Sequence, residues 1–173
     1  MTQAIKYVKY ENEKLLPFQY YNINGFITIP IRKKRPYVKN WPNLIKTVEP
    51  QYYDDDIALH TGLINNIIVI DIDQKDNGLK LFNQLKKEHP TINTPMYSTP
   101  SGGLHMIFQY DPDIKTKIRI NYNNTKIGWD ILSDKHLAIC PPSVGYKWKS
   151  GFTLENVSIK KIPKWIKSMI ADS

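Results

Sequence analysis

The apolar run Ile67–Ile70 leads straight into Asp71, and Ile72 alone separates that aspartate from Asp73. The run is β-branched and continuous rather than alternating, the pattern of a strand covered on both faces. Around it the chain reads as short elements. "EKLLPFQYYN" predicts a short helix, broken or started at Pro17 and ending before Gly25. "FITIPI" (26–31) and "IALHTG" (57–62) predict strands, with a basic, proline-punctuated loop, "RKKRPYVKNWPN" (32–43), between them. In "LKLFNQLKKEH" (79–89) Leu79, Phe82 and Leu85 recur at helical spacing with lysines facing out. "PMYST", "PSGG" and "LHMIFQY" predict strand, glycine loop and strand. A further strand pair is expected in "KIGWDILS" (126–133) and "HLAICPP" (136–142), and a closing helix at "PKWIKSMIAD", with Pro163 at its start. Strands and helices are mixed and hairpins are present. The predicted class is α+β with a central, mixed or largely antiparallel sheet.

With 173 residues, 41% of them hydrophobic, the chain is large enough for one domain, taken as residues 1–173. The formal net charge of +8 favours a polyanionic partner, and eleven tyrosines provide rings that can stack or hydrogen-bond at a wet surface. A single cysteine, Cys140, excludes an internal disulfide and a cysteine-based zinc site, and fits a reducing, intracellular location. The opening "MTQAIKYVKYENEK" lacks the apolar stretch of a secretion signal, and no run approaches the length of a membrane span.

Candidate chemistry starts with the carboxylates. On a strand, Asp71 and Asp73 point the same way, about 7 Å apart along the backbone. Two ionised carboxylates that close repel, and a divalent cation with a preference for hard oxygen ligands, Mg²⁺ or Mn²⁺, relieves the repulsion. The alternative is a strand end that simply meets water. Asp130, between Trp129 and Ile131 in another apolar strand, adds a third acid, costly if buried without a partner. Three acids on neighbouring strands make a site for one or two ions of the kind that performs phosphoryl transfer. In "STPSGGLHMIF", the Ser101–Gly102–Gly103 loop lets backbone amides approach an anion, and His105 follows on the next strand. Together they form a candidate triphosphate clamp; the alternative is an ordinary hairpin turn that needs glycine.

In this order the motifs "VIDID", "TPSGGLH" and "GWD" resemble the archaeo-eukaryotic primase superfamily, specifically the primase-polymerase (prim-pol) type of plasmids, phages and large DNA viruses. "GFITIPIRKKRPYVKNW", "IALHTG" and "AICPPSVGYKW" are similar to further family segments, so the resemblance covers about residues 20–150. It implies two αβ units, one like an RNA-recognition motif, facing each other across a cleft. It also implies that Asp71, Asp73 and Asp130 gather around one or two catalytic Mg²⁺ or Mn²⁺ ions. His105, helped by Ser101, Gly102 and Gly103, would contact nucleotide phosphates, and Lys34 and Arg35 match a basic element near the site. The expected partners are a single-stranded DNA template, dNTPs or NTPs, and a helicase, fused or separate.

Template contact is expected from the cluster of Arg32, Lys33, Lys34, Arg35 and Lys39, with Tyr37 and Trp41 stacking on bases. A second basic cluster, Lys115, Lys117, Arg119 and Lys126, surrounds Tyr122, with a solvated charged loop as the alternative. The activity implied is template-dependent nucleotidyl transfer as primase, polymerase or both. The competing readings are a metal-dependent nuclease using the same acids on water, and a non-catalytic module that binds single-stranded nucleic acid.

Overall fold

A computed structural model describes residues 8–10, 13–52 and 54–173. Residues 1–7, 11 and 12, all within the polar opening read above, and Tyr53 lie outside them. The elements follow in the order β1 (Val8–Tyr10), β2 (Glu13–Leu15), α1 (Pro17–Ile23), β3 (Thr28–Arg32), β4 (Arg35–Pro36), β5 (Asp56–Thr61) and β6 (Ile67–Ile72). Then come α2 (Gly78–Leu85), β7 (Met96–Ser98), β8 (Leu104–Gln109), β9 (Asn121–Tyr122), β10 (Thr125–Lys126), β11 (Trp129–Leu132), β12 (His136–Cys140), β13 (Lys147–Trp148) and α3 (Lys164–Ala171).

Two larger sheets dominate. One has the order β11-β6-β8-β7-β13, the other β12-β5-β3-β4, and β1-β2 and β9-β10 form small ribbons. Every strand pairing among these is antiparallel. The two large sheets meet at a corner where Gly62 and Ile67 exchange backbone hydrogen bonds of 2.8 and 3.2 Å, closing the turn between β5 and β6.

The expectation that "KIGWDILS" and "HLAICPP" pair with each other is corrected: β11 pairs with β6 and β12 pairs with β5, so consecutive strands enter different sheets. The separation follows from the two cores. Ile131 and Trp129 of β11 are buried beneath the helices, whereas Ala138 and Cys140 of β12 are buried between the sheets.

β6 is covered on both faces, as its apolar run predicts. Ile68, Ile70 and Ile72 pack with Leu81, Phe82 and Leu85 of α2 and Ile166 and Ile170 of α3. Ile67 and Val69 pack against Ile57 and Leu59 of β5, together with Tyr20 and Tyr21 of α1. Each such fully buried side chain contributes roughly 1.5–3 kcal/mol. This strand is therefore a stiff base for whatever its end carries. α1 starts at Pro17, where fixed φ favours the first helical turn, and the preceding Glu13–Leu15 is strand rather than helix. α2 stops at Leu85, its last buried apolar position; Lys86, Lys87 and Glu88 beyond it are exposed. Among the described residues no helix is long and apolar enough to cross a membrane.

Candidate active site

Sheet register builds the site. Asp130 lies opposite Asp71, Asp71 opposite His105, His105 opposite Tyr97, and Tyr97 opposite Trp148. Directly opposed residues share a face. Five strands thus each contribute one side chain to a single row, Asp130–Asp71–His105–Tyr97–Trp148. Two residues further along the same face, Val69 and Ile107 enter the core between the sheets. The row stands where that core gives way to polar side chains.

Asp73 sits one residue past β6. Its amide donates to the Gly128 carbonyl at 2.7 Å, and the Gly128 amide donates to the Asp76 carbonyl at 2.9 Å. Gly128 makes this close approach feasible: a Cβ there would lie 3.1 Å from the Asp73 Cβ and press on the Lys75 carbonyl. The turn after β6 is in this way pinned to the start of β11, so Asp73 is held near Asp130.

Each acid has its own protein partner. The Asp71 carboxylate faces His105 Nε2 at 3.3 Å. Asp73 pairs with Arg119 Nη2 at 3.1 Å, and the other arm of the same guanidinium reaches Asp76 at 2.5 Å. Asp130 accepts the Arg119 backbone N–H at 2.8 Å. Burial raises the Asp130 carboxyl above its ordinary value; the Arg119 amide opposes this, and the nearby charges of Asp71 and Asp73 add to the rise.

His105 is 5% exposed and its Nδ1 lies 3.0 Å from the Tyr97 hydroxyl. That hydroxyl donates its one hydrogen to the Ile139 carbonyl of β12 at 2.9 Å. A carbonyl only accepts, so Nδ1 must be the donor to Tyr97. With the Asp71 carboxylate before Nε2 and the Tyr97 hydroxyl before Nδ1, each ring nitrogen faces an oxygen. Tyr97 packs edge-on to His105 at 5.0 Å, Trp148 packs edge-on to Tyr97 at 5.3 Å, and Tyr146 lies 5.9 Å from His105. Burial, then the charge of Asp71, raises the Tyr146 phenol.

The expectation that the three acids gather around a shared cation differs from what is seen. Asp71 and Asp130 are neighbours in one row, with Asp73 beside them, but among the described residues no three His, Cys, Asp or Glu side chains converge closely enough to hold a metal ion. Like charges repel, and Arg119 draws Asp73 toward Asp76 while His105 engages Asp71.

The glycine loop caps the β7–β8 hairpin, with Gly102 at φ +85°. Its amides are engaged inside the hairpin: Gly102 N–H donates to the Thr99 carbonyl at 3.0 Å and Gly103 N–H to the Thr99 hydroxyl at 3.1 Å. Ser101 is exposed at the tip.

The basic residues are distributed differently from the sequence expectation. Lys33 and Lys34 form the two-residue tip of the β3–β4 hairpin, both with positive φ, and Arg35 and Lys39 are exposed. Among the described residues no ion pair or hydrogen bond joins this hairpin to the acid row. Arg32 is held by Asp54 at 3.2 Å and by Asp55. The Tyr37 hydroxyl donates to Asp55, and Trp41 packs edge-on to the buried His60 at 5.4 Å. The second cluster is not a cluster: Lys117 Nζ donates to the Ile170 and Ser173 carbonyls at 2.8 and 2.9 Å, and Arg119 belongs to the acid site. Trp129 is fully buried and donates its indole N–H to the Gly78 carbonyl, a packing role.

Sequence reasoning missed Arg119 as a partner of the acids and Tyr97 as the support of His105. Arg119 carries no local signal, since its position depends on residues 117–120 running beside β11. For Tyr97 a signal existed: it lies one strand turn before the glycine hairpin, on the alternation that points it to the face of His105.

A mixed α+β frame thus sets Asp130, Asp71 and His105 side by side across three strands, with Asp73 just past the end of one of them. The chain matches the family described as "Bifunctional DNA primase/polymerase, N-terminal" over residues 18–165, and it belongs to that family. At the family level it is a primase/polymerase-type nucleotidyltransferase. No curated protein matches it.

Proposed function

We propose that the chain joins nucleoside triphosphates to a 3′-hydroxyl on a single-stranded DNA template, releasing pyrophosphate, with the Asp130–Asp71–His105 row as its reaction centre. The observation that carries this reading is the cross-strand register that sets those three side chains side by side with Asp73 adjacent. The two facing sheets are read as the halves of the cleft, with the β11-β6-β8-β7-β13 sheet as the RNA-recognition-motif-like half.

Asp71, Asp73 and Asp130 are the residues that would hold Mg²⁺ or Mn²⁺. All three offer hard carboxylate oxygens, and the like charges of Asp71 and Asp73 beside Asp130 are ones a cation would offset. Ions bound there would supply the charge that activates a 3′-hydroxyl and stabilises departing pyrophosphate. An ion held there would compete with the Arg119 guanidinium for the Asp73 carboxylate. His105, held by Tyr97, turns a donor at Nε2 toward phosphate oxygens, and the Ser101 hydroxyl at the hairpin tip adds another. The exposed Lys33, Lys34, Arg35 and Lys39, with the ring of Tyr37, form the template-facing surface, and Trp41 anchors that segment to the sheet.

The test is extension of a primed single-stranded template with labelled dNTPs or NTPs in Mg²⁺ or Mn²⁺. Asp71→Ala and Asp73→Ala should each abolish incorporation while leaving the circular dichroism unchanged. Shortening of the primer instead of growth would favour the nuclease reading, and retention without chemistry the binding module.

A further inference from the structure

On the reverse side of the same sheet lies a pocket of about 630 Å³, within the roughly 300–1,000 Å³ of small-molecule sites. It opens between α2, the start of β8 and the turn 149–152. Its floor includes the rings of Phe82 and Phe152 and the side chain of Leu104, and its rim carries Lys86, Lys87 and Lys149, with no carboxylate in the lining. The Lys86 ammonium lies 5.7 Å from the Phe82 ring centroid, so positive charge already overhangs the aromatic floor. The outer wall is built in. Lys149 N–H donates to the Met96 carbonyl at 3.0 Å, Met96 N–H to the Phe152 carbonyl at 3.0 Å, and Phe152 N–H to the Lys149 carbonyl at 2.9 Å. These bonds clamp the 149–152 turn onto β7.

We infer that this pocket is a second nucleotide site, distinct from the acid row. Three ammonium groups without an acid select an anion, and a compact lysine charge suits phosphate. The half-buried Phe152 ring, beside Leu104 and Ile92 in an apolar lining, offers a face to a planar ring. A mononucleotide joins both features in one ligand. Strand alternation separates this site from the row: Leu104 lines the pocket, whereas His105 faces the opposite side. Gly102 and Gly103 also line the pocket, so an occupant leans on the hairpin that leads into His105. The inference does not depend on the acid row being catalytic.

The test is titration of the full chain with ATP in excess EDTA, followed by calorimetry and by amide NMR shifts at Gly102, Gly103 and Phe152. Divalent-bridged binding at Asp71, Asp73 and Asp130 is absent under those conditions. Saturable binding is expected, with Lys87→Glu and Lys149→Glu each weakening it about tenfold. Asp71→Asn should leave it unchanged, which separates this site from the acid row. Phe152→Ala should weaken ATP but not inorganic triphosphate; the exposed lysine reversals remain informative if that variant fails to fold. The inference is overturned by absence of saturable binding, by indifference to both lysine reversals, or by inorganic triphosphate binding as tightly as ATP. A tetradeoxyadenylate that displaces ATP with higher affinity would also overturn it, by making the occupant a strand.

Discussion

Tyr97→Phe isolates the least expected part of the site. The substitution removes one oxygen and keeps the ring, so the edge-on contacts to His105 and Trp148 at 5.0 and 5.3 Å survive. Two hydrogen bonds do not: the one donated to the Ile139 carbonyl at 2.9 Å and the one accepted from His105 Nδ1 at 3.0 Å. Burial raises the Tyr97 phenol well above its ordinary value, so the hydroxyl keeps its proton and its donor role. Tyr97 is 0% exposed and His105 5%, so water cannot freely replace the lost partner. Leaving a buried polar group unpaired costs about 1–3 kcal/mol. The two losses together predict a destabilisation of roughly 2–6 kcal/mol, which at about 2–4 °C per kcal/mol for a chain of this size is a fall in Tm of at least roughly 4 °C. With one nitrogen unsupported, His105 loses its fixed orientation beside Asp71, and incorporation should drop by about tenfold to a hundredfold. Thermal unfolding by circular dichroism and steady-state primer extension measure both effects. A variant that melts within about 1 °C of the parent and extends primers at the parent rate would refute the bonding network, because neither hydroxyl bond could then be worth its expected energy.

Asp130→Asn should separate stability from function. The Asp130 carboxyl titrates higher in the folded than in the unfolded chain, so the folded state holds an extra proton between the ordinary value of 3.8 and the raised one. Stability contributed by this group therefore falls as pH rises through that window. The asparagine oxygen can still accept the Arg119 amide. Urea unfolding should find the variant gaining stability relative to the parent at pH 7 compared with pH 3, while primer extension is lost; a relative loss at pH 7 contradicts the assigned burial. Gly128→Ala places a Cβ 3.1 Å from the Asp73 Cβ and against the Lys75 carbonyl, backbone that cannot swing aside. A loss of about 1–3 kcal/mol is expected, together with reduced incorporation, because the turn carrying Asp73 must shift; an unchanged melting curve would show that the turn is not pinned there.

The sequence by itself determined the strand that matters and the chemistry at its end. The β-branched run Ile67–Ile70 with Ile72 could satisfy its apolar side chains only as a strand buried on both faces, which left Asp71 and Asp73 at its polar exit. The helical spacing of Leu79, Phe82 and Leu85 and the glycine hairpin before His105 were legible for the same reason: local periodicity and backbone freedom are properties of neighbours in the chain. What paired with what was decided only by tertiary structure. β11 and β12 are consecutive and both apolar, yet each enters a different sheet, because the two cores, not the strands' own pattern, select their partners. The alignment of Asp130 with Asp71, the bond from Tyr97 to the far sheet at Ile139, and the turn of Arg119 toward Asp73 and Asp76 all join residues distant in sequence. A basic residue in a charged stretch reads the same whether it faces solvent or an acid; the acid it meets is chosen by the register of the sheet.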